Sequence, residues 1–536
     1  MTAEVCPLDR IWTGVASQSR ASRPAPRGTI PSGTMRRRDL LRNCALAPLA
    51  LAAGGRAAAA GNPYEANWAS IDRRPSPQWY TDAKFGIFIH WGVYSVPAFA
   101  AVNVKGETGY AEWYWNSLTS GKELQGKPGH GALTWQFHQR VYGANFPYFD
   151  FAPMFRAELF DPDRWADVFV KSGARYVALT SKHHEGFTLW KSAEANRAWG
   201  RPWNSVDIGP KRDLVLDLSE AGRRRGLHMG IYYSLYEWYN PLWLSDRKRY
   251  VAEHLFPQFK DVVNRVKPSI IFSDGEWEMP SDEWRSPELL AWLLNESPVK
   301  DEVVIDDRWG KDTRHKHGGY YTTEYTSGMQ QGAHPWEESR GMGYSYGYNR
   351  METVKDYHTD RELLMMLIDI VSRGGNLLLD IGPTADGRIP VIMEERLTQI
   401  GNWLRPNGEA IYGTHAWRHP RQFSAGAVPK FEEKEFMSDY DITKLVDSPP
   451  AGYARADAFL TAKDDAVYAI LPRRPGREVI INDVETPQGA KVTLLETGQT
   501  LASRRDGANL RIQVPDAVAA ALPVSQAYVL KLAGAR

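Results

Sequence analysis

The sequence has almost no cysteine and no excess of charge, and both shortages exclude classes of function. The only cysteines among its 536 residues are Cys6 and Cys44, which both precede residue 60. The remainder of the chain therefore has no disulfide bond and no thiolate metal site. With 65 basic and 64 acidic side chains the net charge is +1, so nothing indicates nucleic acid or an acidic surface as a partner.

The sequence also lacks a long apolar run and a glycine-rich phosphate loop. Its apolar stretch at residues 45–53 is too short to span a bilayer permanently. Gly341-Met342-Gly343 is followed by aromatic residues instead of an apolar helix, which is unlike the phosphate-binding turn of dinucleotide-binding folds. We therefore expect no cofactor, and no membrane association of the mature protein.

Residues 1–60 are predicted to be a disordered leader followed by an export signal. The residues before Met35 show no apolar period. They are interpreted either as a disordered segment or as an upstream extension of the reading frame, with Met35 as the true start. Arg37-Arg38 begins a motif that resembles a twin-arginine signal. The apolar stretch 45–53 and the small residues 57–60 complete the pattern of a cleaved signal peptide. The predicted location is periplasmic or secreted.

Strand-like and helix-like segments alternate between residues 82 and 404. Repeated units of this kind indicate a parallel sheet that is covered by helices. Polar and aromatic residues follow several of the strands, which favours a (β/α)8-like TIM barrel with its site on that face. We predict the barrel over residues 61–420. The predicted strands are residues 85–90, 176–181, 228–234, 269–273, 302–306 and 376–381, and the predicted helices are 163–172, 213–225, 256–267, 360–372 and 391–404.

The pattern changes after Trp417, where short alternating runs are separated by turn residues. Runs of this length at close intervals are typical of an all-β domain. We predict a C-terminal β-sandwich over residues 421–536 that packs against the barrel. The predicted strands are residues 466–471, 478–481, 491–495, 510–514 and 528–532.

Several strand ends carry side chains that suit sugar chemistry. Asp274 closes a short apolar run, and a carboxylate at the end of a barrel strand is typical of a catalytic residue, although Asp274-Gly275 is also a common turn pair. His183-His184 lacks the third ligand that a metal site needs, so the pair is interpreted as binding hydroxyl groups. Phe88 and His90 share one face of a strand. Glu112-Trp113 offers a hydroxyl acceptor and a stacking surface.

A series of motifs resembles the α-L-fucosidases of glycoside hydrolase family 29. These motifs lie in the family's order over residues 78–415, and such a series is specific. The run from Phe272 to Glu278 and the run from Asn295 to Glu302 resemble the animal lysosomal branch in particular. The motifs are Lys84-Phe85-Gly86-Ile87-Phe88-Ile89-His90-Trp91-Gly92, Thr180-Ser181-Lys182-His183-His184-Glu185-Gly186-Phe187, Gly209-Pro210-Lys211-Arg212-Asp213-Leu214-Val215, Asp306-Asp307-Arg308-Trp309-Gly310, Gly374-Gly375-Asn376-Leu377-Leu378-Leu379-Asp380-Ile381-Gly382-Pro383 and Asn407-Gly408-Glu409-Ala410-Ile411-Tyr412.

The resemblance implies a retaining exo-hydrolase that acts on terminal α-L-fucosyl residues of fucosylated glycans. Asp274 matches the nucleophile, and Glu324, in a predicted loop, is the best match for the acid/base. A retaining enzyme needs its two carboxylates roughly 5–5.5 Å apart. Phe88 and Phe272 are the expected apolar patch for the methyl group of fucose. The sugar-contacting residues of the family match His90, Glu112, Trp113, His183, His184, Tyr232 and Arg308.

Three questions stay open from the sequence. The acid/base segment varies within the family, so Glu337 is the leading substitute for Glu324, followed by Glu276, Glu278 and Glu338. The function has two alternatives: the chain hydrolyses a related sugar such as an α-L-galactoside, or it is a sugar-binding protein without activity. The long segment at residues 101–147 is expected to shape the side of the site that receives the leaving group. No metal ion is expected in the site.

Overall fold

Eight strands form one curled parallel sheet in the first part of the chain. The computed structural model describes residues 63–330, 332, 334–428, 436–438, 441–487 and 489–535, and the predicted leader and export signal lie outside these residues. The strand order is β5-β4-β3-β2-β1-β8-β7-β6, and each neighbouring pair is parallel. The strands are β1 Phe85–Ile89, β2 Tyr176–Lys182, β3 His228–Ser234, β4 Ile270–Asp274, β5 Val304–Ile305, β6 Tyr321–Glu324, β7 Trp336–Gly341 and β8 Asn376–Ile381.

The two end strands of this sheet, β5 and β6, approach each other without a regular ladder among the described residues. The carboxylate of Asp307 accepts hydrogen bonds from the backbone N–H of Thr322 at 3.1 Å and from its hydroxyl at 2.7 Å. The carbonyl of Ile305 accepts from the N–H groups of Gly319 and Tyr320. These bonds satisfy the facing strand edges, and the predicted TIM-barrel-like fold is confirmed.

Helices cover the outside of the barrel, and their sequences explain where they begin and end. Asp161 caps the first helix listed below by accepting from the N–H of Arg164, and Thr359 forms a reciprocal capping box with Glu362. Among the described residues no helix is both long and apolar enough to cross a membrane. The main helices are Pro162–Ser172, Ala193–Trp199, Leu214–Arg224, Phe256–Val266, Ser286–Asn295, Asp360–Ser372 and Val391–Asn407.

The long connection between β1 and β2 forms two packed helices, Tyr114–Glu123 and Ala132–Val141. They cross at two glycines, because a Cβ on Gly121 would overlap the carbonyl oxygen of Gly131. The carboxylate of Glu107 accepts from the N–H of Gly131 at 2.8 Å and so fixes the start of the second helix. This packed unit holds the short turn Ala111–Trp113 at the open end of the barrel.

Two antiparallel sheets follow the barrel. One has the order β14-β13-β17-β11-β10-β9, and the other has the order β12-β16-β15. The barrel and these sheets form one compact unit from Gly61 to Arg536. The strands are β9 His415–Phe423, β10 Ala456–Lys463, β11 Ala466–Leu471, β12 Glu478–Ile481, β13 Val492–Leu494, β14 Gln499–Leu501, β15 Ser503–Asp506, β16 Asn509–Gln513 and β17 Tyr528–Ala533.

The central strands of the larger sheet, β10, β11 and β17, are buried on both faces, as alternate side chains of β11 show. Val467 and Ala469 pack with Ile512 of the smaller sheet. Tyr468 and Ile470 point the other way and join the core of the barrel. Since side chains alternate between the faces of a strand, the sheet is the central layer between the barrel and the smaller sheet. The predicted C-terminal all-β sandwich is confirmed, and the predicted boundary after residue 420 falls within β9.

Candidate active site

All eleven residues predicted to bind or cleave the sugar line one cavity of about 580 Å³. The cavity lies at the C-terminal ends of the barrel strands: Asp274 ends β4, Glu324 ends β6, and Arg308 follows β5. This is the face on which barrel enzymes carry their active sites. The eleven residues are Phe88, His90, Glu112, Trp113, His183, His184, Tyr232, Phe272, Asp274, Arg308 and Glu324.

Arg308 connects the two carboxylates that the sequence places in catalysis. Its Nη1 lies 3.2 Å from Oδ1 of Asp274, and its Nη2 lies 3.1 Å from Oε2 of Glu324. Its Nε donates to the hydroxyl of Thr322 at 2.9 Å, and its guanidinium lies over the ring of Phe272 at 4.8 Å. The planar guanidinium therefore holds both carboxylates on one side of the cavity, in a geometry that lysine does not offer.

Asp274 is ionised although it is buried. Burial opposes the charged form, but the positive charge of Arg308 and the hydrogen bond from Tyr232 outweigh it and hold the pKa of Asp274 well below its usual range. The hydroxyl of Tyr232 donates to Oδ2 of Asp274 at 2.7 Å. A charged carboxylate that is fixed by two donors at the end of a strand is suited to attack an electrophilic carbon.

His90 and His184 are neutral hydrogen-bonding groups in the cavity. Burial lowers the pKa of both His90 and His184 well below the usual value. Nδ1 of His184 lies 2.6 Å from the hydroxyl of Ser234, which itself donates to a backbone carbonyl. Nδ1 of His184 is therefore the donor, and its Nε2 is left as an acceptor in the cavity. Asp380 holds the ring of His90 through a contact of 2.7 Å to Nδ1.

A buried ion pair supports the turn that carries His183 and His184. Nζ of Lys182 lies 2.9 Å from Oε1 of Glu237, and both side chains are fully buried. Glu237 also accepts from the ring of His254 at 2.7 Å. Although burial opposes its ionisation, His254 and Lys182 hold the pKa of Glu237 well below the usual range. The backbone N–H of Trp238 donates to the carbonyl of His184, so this network fixes the turn from behind.

The floor of the cavity is apolar. The rings of Phe88 and Phe272 lie 4.9 Å apart, and Tyr232 contacts both of them at 5.8 and 6.0 Å. Each phenylalanine is 2% exposed. The rings of Phe88 and Phe272 offer no hydrogen-bond partner, so a methyl group loses nothing against them, whereas a hydroxyl group does.

Comparisons with known proteins identify the relatives of this chain. The family model described as alpha-L-fucosidase matches residues 51–409. The chain belongs to the alpha-L-fucosidase family. Tissue alpha-L-fucosidase of Rattus norvegicus is 39% identical over 495 residues, which is 90% of this chain and 96% of the relative. Alpha-L-fucosidase of Dictyostelium discoideum is 46% identical over 364 residues, or 66% of this chain and 75% of the relative.

Solved structures of the family have the same fold. Thermotoga maritima alpha-fucosidase in complex with fucose has a TM-score of 0.68 and 33% identity, and the match covers 88% of this chain and 100% of that chain. The complex of the same enzyme with a mechanism-based inhibitor has a TM-score of 0.69 with the same coverage. The predicted family and the predicted activity are confirmed: the chain is a glycoside hydrolase that cleaves α-L-fucosides.

Within this fucosidase, the four alternative acids lie in different places. Glu337 accepts from the hydroxyls of Tyr80 and Tyr176 in a cluster outside the cavity. Glu338 is bonded to the hydroxyl of Thr323. Glu278 pairs with an exposed arginine. These three do not line the cavity, and Glu276 does.

Glu276 is the only one of the four that competes with Glu324 for access to the substrate. It is 1% exposed and its carboxylate is bonded to Arg314 at 2.6 Å. Burial, and in addition the charge of Asp274, raises its pKa. The side chain of Glu324 is 16% exposed and opens into the cavity. The exposure therefore favours Glu324 as the group that reaches a leaving oxygen.

Sequence reasoning missed several residues of this fucosidase cavity. Asp380, which orients His90, interrupts the apolar run of β8, and a carboxylate inside such a run is a usable signal. Tyr346 stacks on His90 at 4.8 Å, and it lies in no predicted element. Phe436 lines the cavity from the chain between β9 and β10, and no local pattern points to it.

Proposed function

We propose that this fucosidase acts with retention, with Asp274 as the nucleophile and Glu324 as the acid/base. The observation that carries the proposal is the contact of both carboxylates with the one guanidinium of Arg308. Retaining glycosidases need two carboxyl groups close together, at roughly 5–5.5 Å. Sharing one guanidinium brings Asp274 and Glu324 close together on the same side of the cavity.

The reaction has two displacements. In the first, the Asp274 carboxylate attacks the anomeric carbon while Glu324 gives its proton to the leaving oxygen, so that the glycosidic bond breaks and a fucosyl ester forms. In the second, Glu324 takes a proton from water, the water oxygen attacks the anomeric carbon, and the ester bond breaks. The depressed pKa of Asp274 supports its role, because the nucleophile has to be ionised at neutral pH.

Recognition of the sugar is proposed to divide between polar groups and the aromatic floor. His90, His183, His184 and Glu112 surround the cavity as acceptors or donors for hydroxyl groups, and Trp113 offers its ring face. Phe88 and Phe272 receive the methyl group at C6. An α-L-galactoside places a hydroxyl against this apolar patch, so we expect slower cleavage of that sugar; a hydrophobic pocket discriminates by about 10- to 200-fold.

The natural substrates and the location are proposals as well. Fucosylated glycans are proposed as substrates because the relatives are alpha-L-fucosidases of tissue and plasma. Export through a twin-arginine signal to the periplasm or the outside is proposed from the residues after Met35. The expected absence of a metal and of a cofactor stays a prediction.

Proton NMR of the first product tests the retaining mechanism. The chain from Gly61 onward is mixed with an aryl α-L-fucoside, and the anomeric proton of released fucose is followed before mutarotation. Initial α-fucose is the expected result. Initial β-fucose would mean inversion and would require a different pair of carboxylates. Binding of fucose without any release would favour the alternative of an inactive sugar-binding protein.

A further inference from the structure

Phe436 is an exposed aromatic residue that lines the mouth of the catalytic cavity. Its exposed fraction is 47%, and it belongs to the chain between β9 and β10, in the C-terminal part of the protein. An aromatic ring that is exposed beside a catalytic cavity is accessible to a ligand. Such surface is typical of a place where a ligand ring stacks.

The backbone around Phe436 is hydrogen-bonded to the residue that we propose as the acid/base. The N–H of Met437 donates to the carbonyl of Glu324 at 3.0 Å, and the N–H of Ser438 donates to the carbonyl of Tyr325 at 3.0 Å. Residues 436–438 thereby extend the edge of β6 in parallel with Glu324. The position of Phe436 is therefore coupled to the position of Glu324.

The turn that follows Glu324 is constrained from its other side as well. Tyr325 has a φ of +51°, a left-handed conformation that is unfavourable for an aromatic residue. Its hydroxyl donates to the carbonyl of Tyr344 at 2.6 Å, and its N–H donates to the carbonyl of Ser339. The contacts of residues 436–438 add to those that hold this conformation.

Trp277 is a second exposed aromatic residue at the mouth of the cavity. It is 38% exposed, and its ring lies 6.1 Å from Trp113 and 5.3 Å from His184. These neighbours belong to the turns before and after β2, whereas Phe436 lies beside the end of β6. Trp277 therefore reaches the cavity from the connection after β4, and Phe436 reaches it from the side of β6.

We propose that Phe436, together with Trp277, forms a subsite for the leaving group of the substrate. The proposal rests on the role of Glu324, because an oxygen that receives a proton from Glu324 has its substituent next to Phe436. Aromatic rings bind the C–H face of a pyranose, so the ligand class is a sugar ring attached to fucose. The leaving group is thus bound by Phe436 from the C-terminal part of the chain and by Trp277 from the barrel, while fucose is bound by the barrel.

The test compares two substrates that differ only in the leaving group. α-L-Fucosyl fluoride has no ring beyond fucose, and an α-L-fucosyl-galactose disaccharide has one. In Phe436→Ala we expect kcat/KM for the disaccharide to fall about five- to tenfold, mainly through KM, because one stacking contact is lost. The values for the fluoride and for inhibition by free L-fucose stay as in the unmodified enzyme. Phe436→Trp keeps the stacking surface and restores cleavage of the disaccharide.

Tyr453→Ala is the matched control. Tyr453 is also 47% exposed and lies in the same part of the chain, but it does not line the cavity, so both substrates are cleaved as before. Equal losses on both substrates in Phe436→Ala, or no loss on either, would overturn the proposal. A loss on the disaccharide that lies in kcat instead of KM would indicate a displaced Glu324 and would overturn it as well. Inversion by the unmodified enzyme would contradict the proposed mechanism, while the ratio between the substrates would still decide the role of Phe436.

Discussion

The inner cavity and the cavity rim of this fucosidase are built in different ways. The inner cavity, defined by His90, His184, Asp274 and Arg308, is at most 8% exposed, and its side chains bind one another or their supporting residues. The cavity rim, defined by Trp277, Lys311, Lys316 and Phe436, is exposed and comes from connections after the strands. Trp277 is 38% exposed and Phe436 is 47% exposed.

The difference shows how one barrel separates the reaction from the choice of leaving group. Rate depends on atoms that are held within fractions of an ångström, and strand ends with buried hydrogen bonds provide that precision. A rim that contacts only the leaving group tolerates changes in its loops. We therefore expect substitutions in the inner cavity to lower the rate on every fucoside, and substitutions in the rim to change the preference between fucosides.

The largest effect is expected for Asp274→Ala, which removes the nucleophile. Turnover of all fucosides should fall by roughly 10⁴-fold or more. Binding of L-fucose, measured by calorimetry, should persist because the surrounding hydrogen-bonding groups remain. If Asp274→Ala retained turnover, Asp274 would not be the nucleophile, and the difference in function between the inner cavity and the rim would be contradicted.

A large effect that depends on the substrate is expected for Glu324→Ala. Fucosides with poor leaving groups should be cleaved about 10²- to 10⁴-fold more slowly, while aryl fucosides with good leaving groups are affected much less. Azide should restore the rate because it attacks the anomeric carbon of the fucosyl ester without a general base, so that the bond to Asp274 breaks and a fucosyl azide is released.

Glu276→Ala is the control for Glu324→Ala, because Glu276 also lines the cavity but is bonded to Arg314. It should show neither the dependence on the leaving group nor rescue by azide. Rescue of Glu276→Ala and not of Glu324→Ala would transfer the acid/base role to Glu276.

A smaller loss is expected for Arg308→Lys. The charge remains, but lysine has no planar pair of donors that contacts Asp274 and Glu324 together. We expect kcat to fall about 100-fold for good and poor leaving groups alike, as for the loss of one fixed donor in a catalytic site. The measurement is kcat/KM on a series of aryl fucosides, and an unchanged kcat would show that the shared guanidinium has no part in catalysis.

The smallest effect on activity is expected for Glu337→Gln, outside the cavity. Burial raises the pKa of Glu337 from its ordinary 4.5 to about 7, so the folded protein holds this proton more tightly than the unfolded chain does. This proton contributes at most roughly 3 kcal/mol to the free energy of unfolding. The contribution is fully present below about pH 4.5 and is lost as the pH rises through about 7. Glu337→Gln should remove that loss.

Melting temperatures at pH 5 and pH 8 measure this effect. The melting temperature of Glu337→Gln, relative to that of the unmodified protein, should be a few degrees higher at pH 8 than at pH 5. Glu278→Gln changes an exposed glutamate and should show no such shift. Loss of activity in Glu337→Gln would contradict its placement outside the site.

The residues of the inner cavity were predicted from the sequence more completely than those of the rim, and the pattern of the strands explains the difference. The predicted strands at residues 228–234 and 376–381 agree with β3 and β8, because a continuous apolar run is typical of a strand that is buried on both faces. Asp274 and Arg308 were found from motifs at the ends of such strands, and their roles remain proposals.

The strands β6 and β7 were not predicted, and Glu324 was assigned to a loop. Both strands are rich in polar residues that satisfy one another across strands: Thr323 donates to Glu338, and Thr322 donates to Asp307. A pattern of apolar residues does not reveal strands of this kind. Phe436 was missed because its contact with Glu324 joins residues that are far apart in the sequence.

The most direct test of Asp274 as the nucleophile is to locate the covalent intermediate. The enzyme is inactivated with a 2-deoxy-2-fluoro fucosyl donor, digested, and the labelled peptide is sequenced by tandem mass spectrometry. We predict a single fluorofucosyl ester on Asp274. Because Glu276 lies in the same peptide, fragment ions between the two residues distinguish them. A label on Glu276 or on another carboxylate would contradict the assignment of Asp274 as the nucleophile.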